Sequence, residues 1–514
     1  MIPLLLVFIA TLATIIVVTF SLLQLWLIAQ FLSTKTVAAP VAEIENGQWP
    51  SVLIQLPIYN EGPIIEQLLS AVSKLDYPHD RLAIQVLDDS TDSTTSIAGA
   101  VVEKLHREQG LRITHLRRTT RDGFKAGALA NGLAVDAGHS AFIAIFDADF
   151  TPSSNFLKRT IPLFQSEKLA LVQTRWAHRN AKNTIFTRLM ALALDNHFTI
   201  EQGGRQAAGC FINFNGTAGI WRRSAIESVG GWSADSLTED LDLSFRAQIA
   251  GWTCQYTMDI STPSEIPAQL TDLRGQQFRW TKGSLEVARK LVLPLLHSKV
   301  PLRQKVVGVL HLTSGLQFAT ALLFGLAALG LHAYGTFPEL NFYRILSVLM
   351  TIATVVFAFA FVVSQRALER QTLKTDAITI LRAIAFTIFA IGFSVQNSWA
   401  LGEAMIARKS EFVRTPKLGW KTLAPSRPNR FAILVAFEAA LSLFFFVAAA
   451  QELIAWHIQF FPLFFILVTY GLGFSFMVVM SLMEKLPTHK SVSAVKIEEN
   501  TAAAPPSERR KLAF

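Results

Sequence analysis

A chain of 514 residues that is 51% hydrophobic and only 17% charged does not read as one soluble domain, in which about a quarter of the residues would be charged. It reads as a membrane protein with a soluble insert. The basic surplus, 47 Lys and Arg against 38 Asp and Glu, is of the kind that marks cytoplasmic loops beside anionic headgroups, so no nucleic-acid partner is required. Two cysteines, Cys210 and Cys254, exclude a disulfide framework and suit a reducing compartment.

Ile2 to Phe31 carry no charged side chain. That length exceeds the roughly twenty residues that span a bilayer. A secretory signal would start basic and have a shorter apolar core. The stretch is therefore expected to remain as a membrane helix, with Lys35 inside and the N-terminus outside. From about residue 37 to residue 300 the composition is that of a soluble domain. Strands are expected at Val52–Leu56, Leu82–Leu87, Ile113–Leu116 and Ala141–Phe146. Helices are expected at Gly62–Lys74, Ser93–Glu108 and Lys125–Ala137. Such alternation implies an α/β, Rossmann-like, mainly parallel sheet with helices on both faces. Ligands of these sheets gather at the carboxyl ends of the strands.

Polar residues cluster at those ends. Tyr59, Asn60 and Glu61 follow the first strand, and Asp88 and Asp89 follow the second. Either aspartate could accept a hydrogen bond from a base or ribose; the run Asp-Ser-Thr-Asp would also cap the next helix. Lys125 sits between Gly123 and Gly127 near a helix start, where a phosphate would find both an ammonium and the positive helix end. The fourth strand ends in Phe146-Asp147-Ala148-Asp149-Phe150. Two carboxylates one residue apart can share a hard divalent cation, which often holds a diphosphate; the plainer reading is a solvated turn. In Thr238-Glu239-Asp240, Thr238 is expected to cap a helix whose first turn holds one acid as a general base. Gln276, Arg279 and Trp280 share one side of a helix. There Arg279 could pair with a diphosphate and Trp280 could meet a sugar ring; an amphipathic helix on anionic lipid would carry the same residues.

Beyond Lys305, the apolar runs are Val306–His332, Phe342–Val363, Phe431–Ala450 and Phe461–Met483. Ile378–Leu401 is apolar but interrupted by Arg382, Gln396 and Asn397, with basic residues crowding both flanks. A single crossing there would put one basic cluster outside. An interfacial or re-entrant segment, and hence five crossings, is expected; six crossings with an external C-terminus is the alternative. The expected organisation is a transmembrane helix over 1–35, a soluble domain over 36–265 and interfacial helices over 266–305. Two transmembrane helices over 306–364, an interfacial segment over 365–430, two more transmembrane helices over 431–483 and a disordered tail over 484–514 follow. Gln317, Gln396, Asn397 and Trp399 are candidates to line a polar path between the helices or to pack them.

Eight motifs stand in a fixed order. They are Gln55-Leu56-Pro57-Ile58-Tyr59-Asn60-Glu61, Leu87-Asp88-Asp89-Ser90-Thr91-Asp92, Lys125-Ala126-Gly127-Ala128-Leu129, Phe146 to Phe150, Gln173-Thr174-Arg175-Trp176, Phe214-Asn215-Gly216-Thr217-Ala218-Gly219, Thr238-Glu239-Asp240 and Gln276 to Trp280. In that order, and followed by membrane spans, they resemble the inverting family 2 membrane glycosyltransferases of the cellulose synthase-like kind, nearest the mannan and glucan synthase-like branch and its bacterial relatives. The resemblance covers roughly residues 50–300. It implies a cytoplasmic GT-A domain, in an inner or Golgi membrane, that moves a hexose from UDP-glucose or GDP-mannose to a growing β-glycan, or to a membrane lipid. Tyr59, Glu61 and Asp89 would hold the nucleoside and Lys125 the diphosphate. Asp147 and Asp149 would serve Mg²⁺ or Mn²⁺, Asp240 would be the base, and Gln276, Arg279 and Trp280 would bind diphosphate and acceptor. Glu411 to Lys417 would correspond to a gating loop, with Arg414 and Pro416 departing from its usual wording.

Overall fold

The computed structural model describes residues 1–33, 48–334, 340–368, 373–408, 410, 415, 430–454 and 461–484. Of the proposed tail, residues 485–514 lie outside the described residues, as does all of the proposed gating loop except Thr415; Glu484, read as the tail's first residue, is instead fixed against the start of α10.

The soluble domain is built on seven strands: β1 (Val52–Ile58), β2 (Leu82–Asp88), β3 (Ile113–Arg117), β4 (Phe142–Ile145), β5 (Leu169–His178), β6 (Gly219–Arg222) and β7 (Thr253–Ser264). They lie in the order β3-β2-β1-β4-β6-β5-β7. β6 runs antiparallel to β4 and β5; the other pairings are parallel. In chain order the helices are α1 (Ile2–Ser33), α2 (Gly62–Val72), α3 (Thr94–Gln109), α4 (Phe124–Asp136), α5 (Phe156–Thr160), α6 (Ile185–Asn196), α7 (Gly203–Ala207), α8 (Arg223–Ser228), α9 (Glu239–Ile249) and α10 (Leu270–His297). They continue with α11 (Leu302–Leu312), α12 (Leu316–Tyr334), α13 (Leu340–Leu368), α14 (Leu373–Gly392), α15 (Ser394–Met405), α16 (Arg430–Ile454) and α17 (Phe461–Met483).

The first four strands and three helices match the sequence expectations to within a residue or two. Their continuous apolar runs reflect burial on both faces. Val52, Ile54 and Leu56 pack toward α2 and α3, while Leu53, Ile143 and Ile145 pack toward α4, α8 and α9. One polar residue of the first motif has a structural use. Gln55 is fully buried and its amide donates to the Leu129 carbonyl of α4 (3.2 Å), while Gln85 donates to the Gly132 carbonyl (3.0 Å). Strand order reverses between β1 and β4, so a crevice opens beyond their carboxyl ends.

Among the described residues, six helices are long and apolar enough to cross a membrane: α1, α12, α14, α16, α17 and, in α13, Val348–Leu368. The protein is a multi-pass membrane protein. Ala10 and Ala13 of α1 and Ala327 and Ala328 of α12 join Leu441 and Phe445 of α16 and Leu467 and Phe474 of α17 in one cluster. Small side chains let such helices approach closely. Two apolar stretches read as single segments are divided. The run 306–332 is split between α11 and α12, and 378–401 between α14 and α15. α14 lies along α6 of the soluble domain, with Phe389 against Phe186 (ring centroids 6.0 Å apart) and Ala383 clustered with Leu192.

Candidate active site

The turns after β1 and β2 are tied together. Ser90 Oγ accepts from the Asn60 backbone N–H (2.9 Å), and Asn60 Oδ1 accepts from that of Thr91 (2.8 Å). This sets Tyr59, Glu61 and Asp89 on the wall of a cavity beyond the sheet, with Lys125, Asp147, Asp149, Glu239, Asp240, Gln276, Arg279 and Trp280 around it. Ten of the eleven site residues expected from sequence therefore meet in one place.

Asp88 does not. It is 1% exposed. Its carboxylate pairs with His115 Nε2 (2.9 Å) and accepts from the Ser90 N–H (2.8 Å). Burial disfavours its charge, but these hydrogen bonds outweigh burial and lower its pKa to about 2. Asp88 is an internal brace for the turn, and its neighbour Asp89 is the one presented. Asp89 is gripped by Arg118, whose Nε donates to Oδ1 (3.0 Å). The Arg121 guanidinium lies over the Tyr59 ring, 3.5 Å from its centroid. Neither arginine belongs to a motif; both sit in the loop before α4, which reads from sequence as an ordinary basic turn.

The Lys125 ammonium donates to Asp147 Oδ1 (2.6 Å) and to the Gly216 carbonyl (2.8 Å), and stands 4.0 Å from Glu239. Burial opposes its charge, but Asp147, Glu239 and Asp240 prevail and raise its pKa. Asp149 is 3% exposed and accepts from the Glu265 N–H (3.1 Å). Among the described residues no three acids, histidines or cysteines come together as a metal cage. Two cavity-facing carboxylates fit an ion such as Mg²⁺, which takes one or two protein carboxylates and draws other ligands from water and substrate phosphate.

Thr238 precedes α9, but its hydroxyl makes no capping bond and is buried without a partner among the described residues. The capping expected of it is not made, because α10 presses against it: a Cβ on Gly283 would come within 2.6 Å of Thr238 Cγ2. Asp240 Oδ1 accepts from the Leu241 N–H (2.8 Å). Burial first, and then the Glu239 charge, push its pKa up to about 7 against the opposing pull of Lys125. A carboxylate poised there suits proton abstraction near neutral pH. Gly216 has φ +82°, and a Cβ on it would meet Asp240 Oδ2 at 3.1 Å. Gly216→Ala is expected to cost about 1 kcal/mol in backbone strain and to shift Asp240. Kinetics should show a fall in kcat with little change in donor KM.

Arg279 donates to Thr415 Oγ1 (2.6 Å). Trp280 lines this first cavity and also a second one, of about 400 Å³. Asp240, Trp176 and Asn215 are likewise common to both. The second cavity continues among the membrane helices, touching Phe20 of α1, Gln317 of α12, Phe357 of α13 and Phe389 of α14. Gln317 thus lines a path, whereas Gln396 and Trp399 serve packing: the Gln396 amide donates to the Arg274 carbonyl (2.6 Å) and Trp399 donates to Glu403 (3.0 Å).

Residues 50–283 match the family model described as "Glycosyltransferase like family 2". The soluble domain is similar to that family over this stretch. The chain is 40% identical over 269 residues to "Probable glucomannan 4-beta-mannosyltransferase 11" of Arabidopsis thaliana, covering 50% of this chain and 58% of the relative. It is 42% identical over 260 residues to "Glucomannan 4-beta-mannosyltransferase 7" of the same plant, covering 50% and 47%. The chain thus spans about half the length of the curated relatives it matches. Among solved structures, the mannosyltransferase PcManGT of Pyrobaculum calidifontis, in complex with GDP-Man and Mn²⁺, superposes with a TM-score of 0.53. It covers 74% of this chain and 98% of its own at 21% identity. That likeness establishes a GT-A-type fold. The named relatives of the soluble domain are glucomannan mannosyltransferases.

Proposed function

We propose that this protein transfers a hexosyl unit, and specifically a mannosyl unit, from a nucleotide-diphosphate sugar to a β-linked glycan that it feeds into its own membrane helices. The observation that carries this reading is the second cavity, which begins at Asp240 and Trp280 and continues between helices. Its wall reaches Phe20, thirteen residues before the end of α1, or about 20 Å along that helix. Aromatic rings and scattered polar groups along such a path suit successive pyranose units. The names of the 40–42% identical relatives favour mannose.

In this reading Tyr59, Glu61 and Asp89 hold the nucleoside. Asp147 and Asp149 hold a divalent cation, which would neutralise the diphosphate. Lys125 and Arg279 add fixed positive charge where the leaving group becomes more negative. Gln276 orients the diphosphate, and Trp280 holds the acceptor sugar against the anomeric carbon. Asp240 takes the acceptor hydroxyl proton as that oxygen attacks. The domain faces the cytoplasm. The basic residues on both sides of α14 favour an interfacial α14 and five crossings; its contacts with α6 lie between Ala383 and Phe389.

Product analysis tests the proposal. The purified chain in lipid, given GDP-mannose or UDP-glucose with Mg²⁺ or Mn²⁺, is expected to make a long chain sensitive to a β-mannanase. Chelation should stop synthesis, and returning the metal should restore it. Label confined to a lipid bearing one or two sugars would overturn the polymer reading; full activity in chelator would overturn the metal assignment.

A further inference from the structure

The wall of the second cavity carries a polar set outside every motif read from the sequence. Between α6 and α7 the helix widens into a single π-turn, His197–Gln202. Such turns are rare and are frequent at functional sites. From this turn and α7, His197, Glu201 and Arg205 reach the cavity, and His311 of α11 joins them from across it.

Their hydrogen bonds run in one direction. Gln202 Nε2 donates to Asn215 Oδ1 (2.8 Å), Asn215 Nδ2 meets His197 Nε2 (2.9 Å), and His197 Nδ1 meets Glu201 Oε2 (2.8 Å). The chain therefore starts at Gln202, whose amide also donates to the Asn213 carbonyl (2.7 Å), and ends on a carboxylate whose Oε1 receives no hydrogen bond from the described residues. Burial resists the Glu201 charge, but the His197 hydrogen bond and the Arg205 charge outweigh it and lower the pKa, so Glu201 is ionised at neutral pH. Arg205 is 4% exposed; Nη2 donates to Gln202 (3.2 Å), and Nε is buried with no partner among the described residues. His311 Nδ1 is orphaned in the same way. Burial and the neighbouring Arg205 and His197 depress the His311 pKa, so the ring is neutral. A close approach fixes the set against the membrane: a Cβ on Gly204 would come within 2.6 Å of the Leu27 carbonyl of α1. A carboxylate oxygen open to the cavity (the Glu201 side chain is 36% exposed), a buried guanidinium and an imidazole, each incompletely paired among the described residues, are groups that a ligand in the cavity can complete.

We infer that Glu201, Arg205 and His311 are specificity-determining residues that bind the hydroxyls of the acceptor glycan just behind the catalytic base. This rests on the glycan-transfer reading above and names what reads the acceptor. Glu201 accepts from one hydroxyl, and His311 and Arg205 bind others. His197 is a positioning residue that orients the Glu201 carboxylate. Sugar hydroxyls differ in direction between epimers, so a fixed carboxylate here distinguishes them by hydrogen-bond geometry.

The test uses the full chain in lipid nanodiscs, the acceptor that wild type elongates, and the variants Glu201→Gln, Glu201→Asp and His311→Gln. Loss of a hydrogen bond to a charged group corresponds to roughly a tenfold or greater rise in acceptor KM for Glu201→Gln. Donor KM and donor hydrolysis without acceptor are expected to stay unchanged, with Glu201→Asp intermediate. His311→Gln changes a different helix and carries the test if the π-turn variants misfold. An unaltered acceptor KM, or donor and acceptor KM rising together, would overturn the inference. If wild type elongates only a lipid-borne sugar, the polymer proposal falls, and titration with that lipid still decides the role of the set.

Discussion

Asp240→Asn is expected to lower kcat by roughly 10²–10⁴-fold, the usual contribution of a positioned base, while the donor still binds. The substitution keeps the side-chain shape and the oxygen that accepts the Leu241 N–H, and removes the group that takes the acceptor proton. It also removes one negative charge near Glu239 and Lys125, so donor affinity should hold or improve. The raised pKa adds a pH signature. The basic form of Asp240 is lost as pH falls through about 7, so kcat should rise with pH below that point and level off above it. The residual activity of the Asn variant should lack that rise. Donor titration alongside initial rates from acid to neutral pH checks both parts; wild-type turnover in the variant, or a flat wild-type profile, would remove Asp240 from the role of base.

Breaking the ion pair beneath the site should have the largest effect on stability. Arg274 of α10 and Glu438 of α16 have side chains 2% and 0% exposed and are joined by two hydrogen bonds of 2.9 and 2.7 Å. Gln396 of α15 accepts from the same guanidinium (3.3 Å), as does Ser481 of α17 (3.4 Å). One side chain therefore fastens α10 to three membrane-side helices. Just before it, Glu484 after α17 accepts from the Leu270 and Thr271 N–H groups and from the Thr271 hydroxyl (2.7 Å) at the start of α10. Glu438→Ala leaves the guanidinium buried without its counter-charge, at a cost of about 3–5 kcal/mol. Melting in lipid should fall accordingly, and activity should fall with it, because Arg279 and Trp280 ride on the same helix. Arg274→Met combined with Glu438→Leu should recover much of the stability, since an apolar pair avoids desolvation. A single variant that melts like wild type would show the pair to be dispensable.

The two sites differ in how far they could be read in advance. The acids Asp147, Asp149 and Asp240 stand at ends of regular elements, where alternation and motif order point to them. Arg118 and Arg121 sit in a loop, where direction depends on the turn. His197, Glu201 and Arg205 are four apart and look like the polar stripe of any helix. That this stripe faces a cavity, and that a π-turn interrupts the helix beneath it, periodicity does not register.

The sequence by itself determined the alternating strands and helices of the first half, the apolar lengths of the membrane segments and the family that the soluble domain resembles. These follow from neighbours a few residues apart and from the order of short motifs. The tertiary structure alone decided that Asp88 turns inward while Asp89 faces the cavity, that Lys125 pairs with Asp147, and that 306–332 and 378–401 each divide into two helices. It also decided that the cavity at Asp240 continues among α1, α12, α13 and α14, all far from Asp240 along the chain. The reason is physical: the energy of a buried charge depends on what surrounds it, and those surroundings come from elements whose meeting no local pattern encodes.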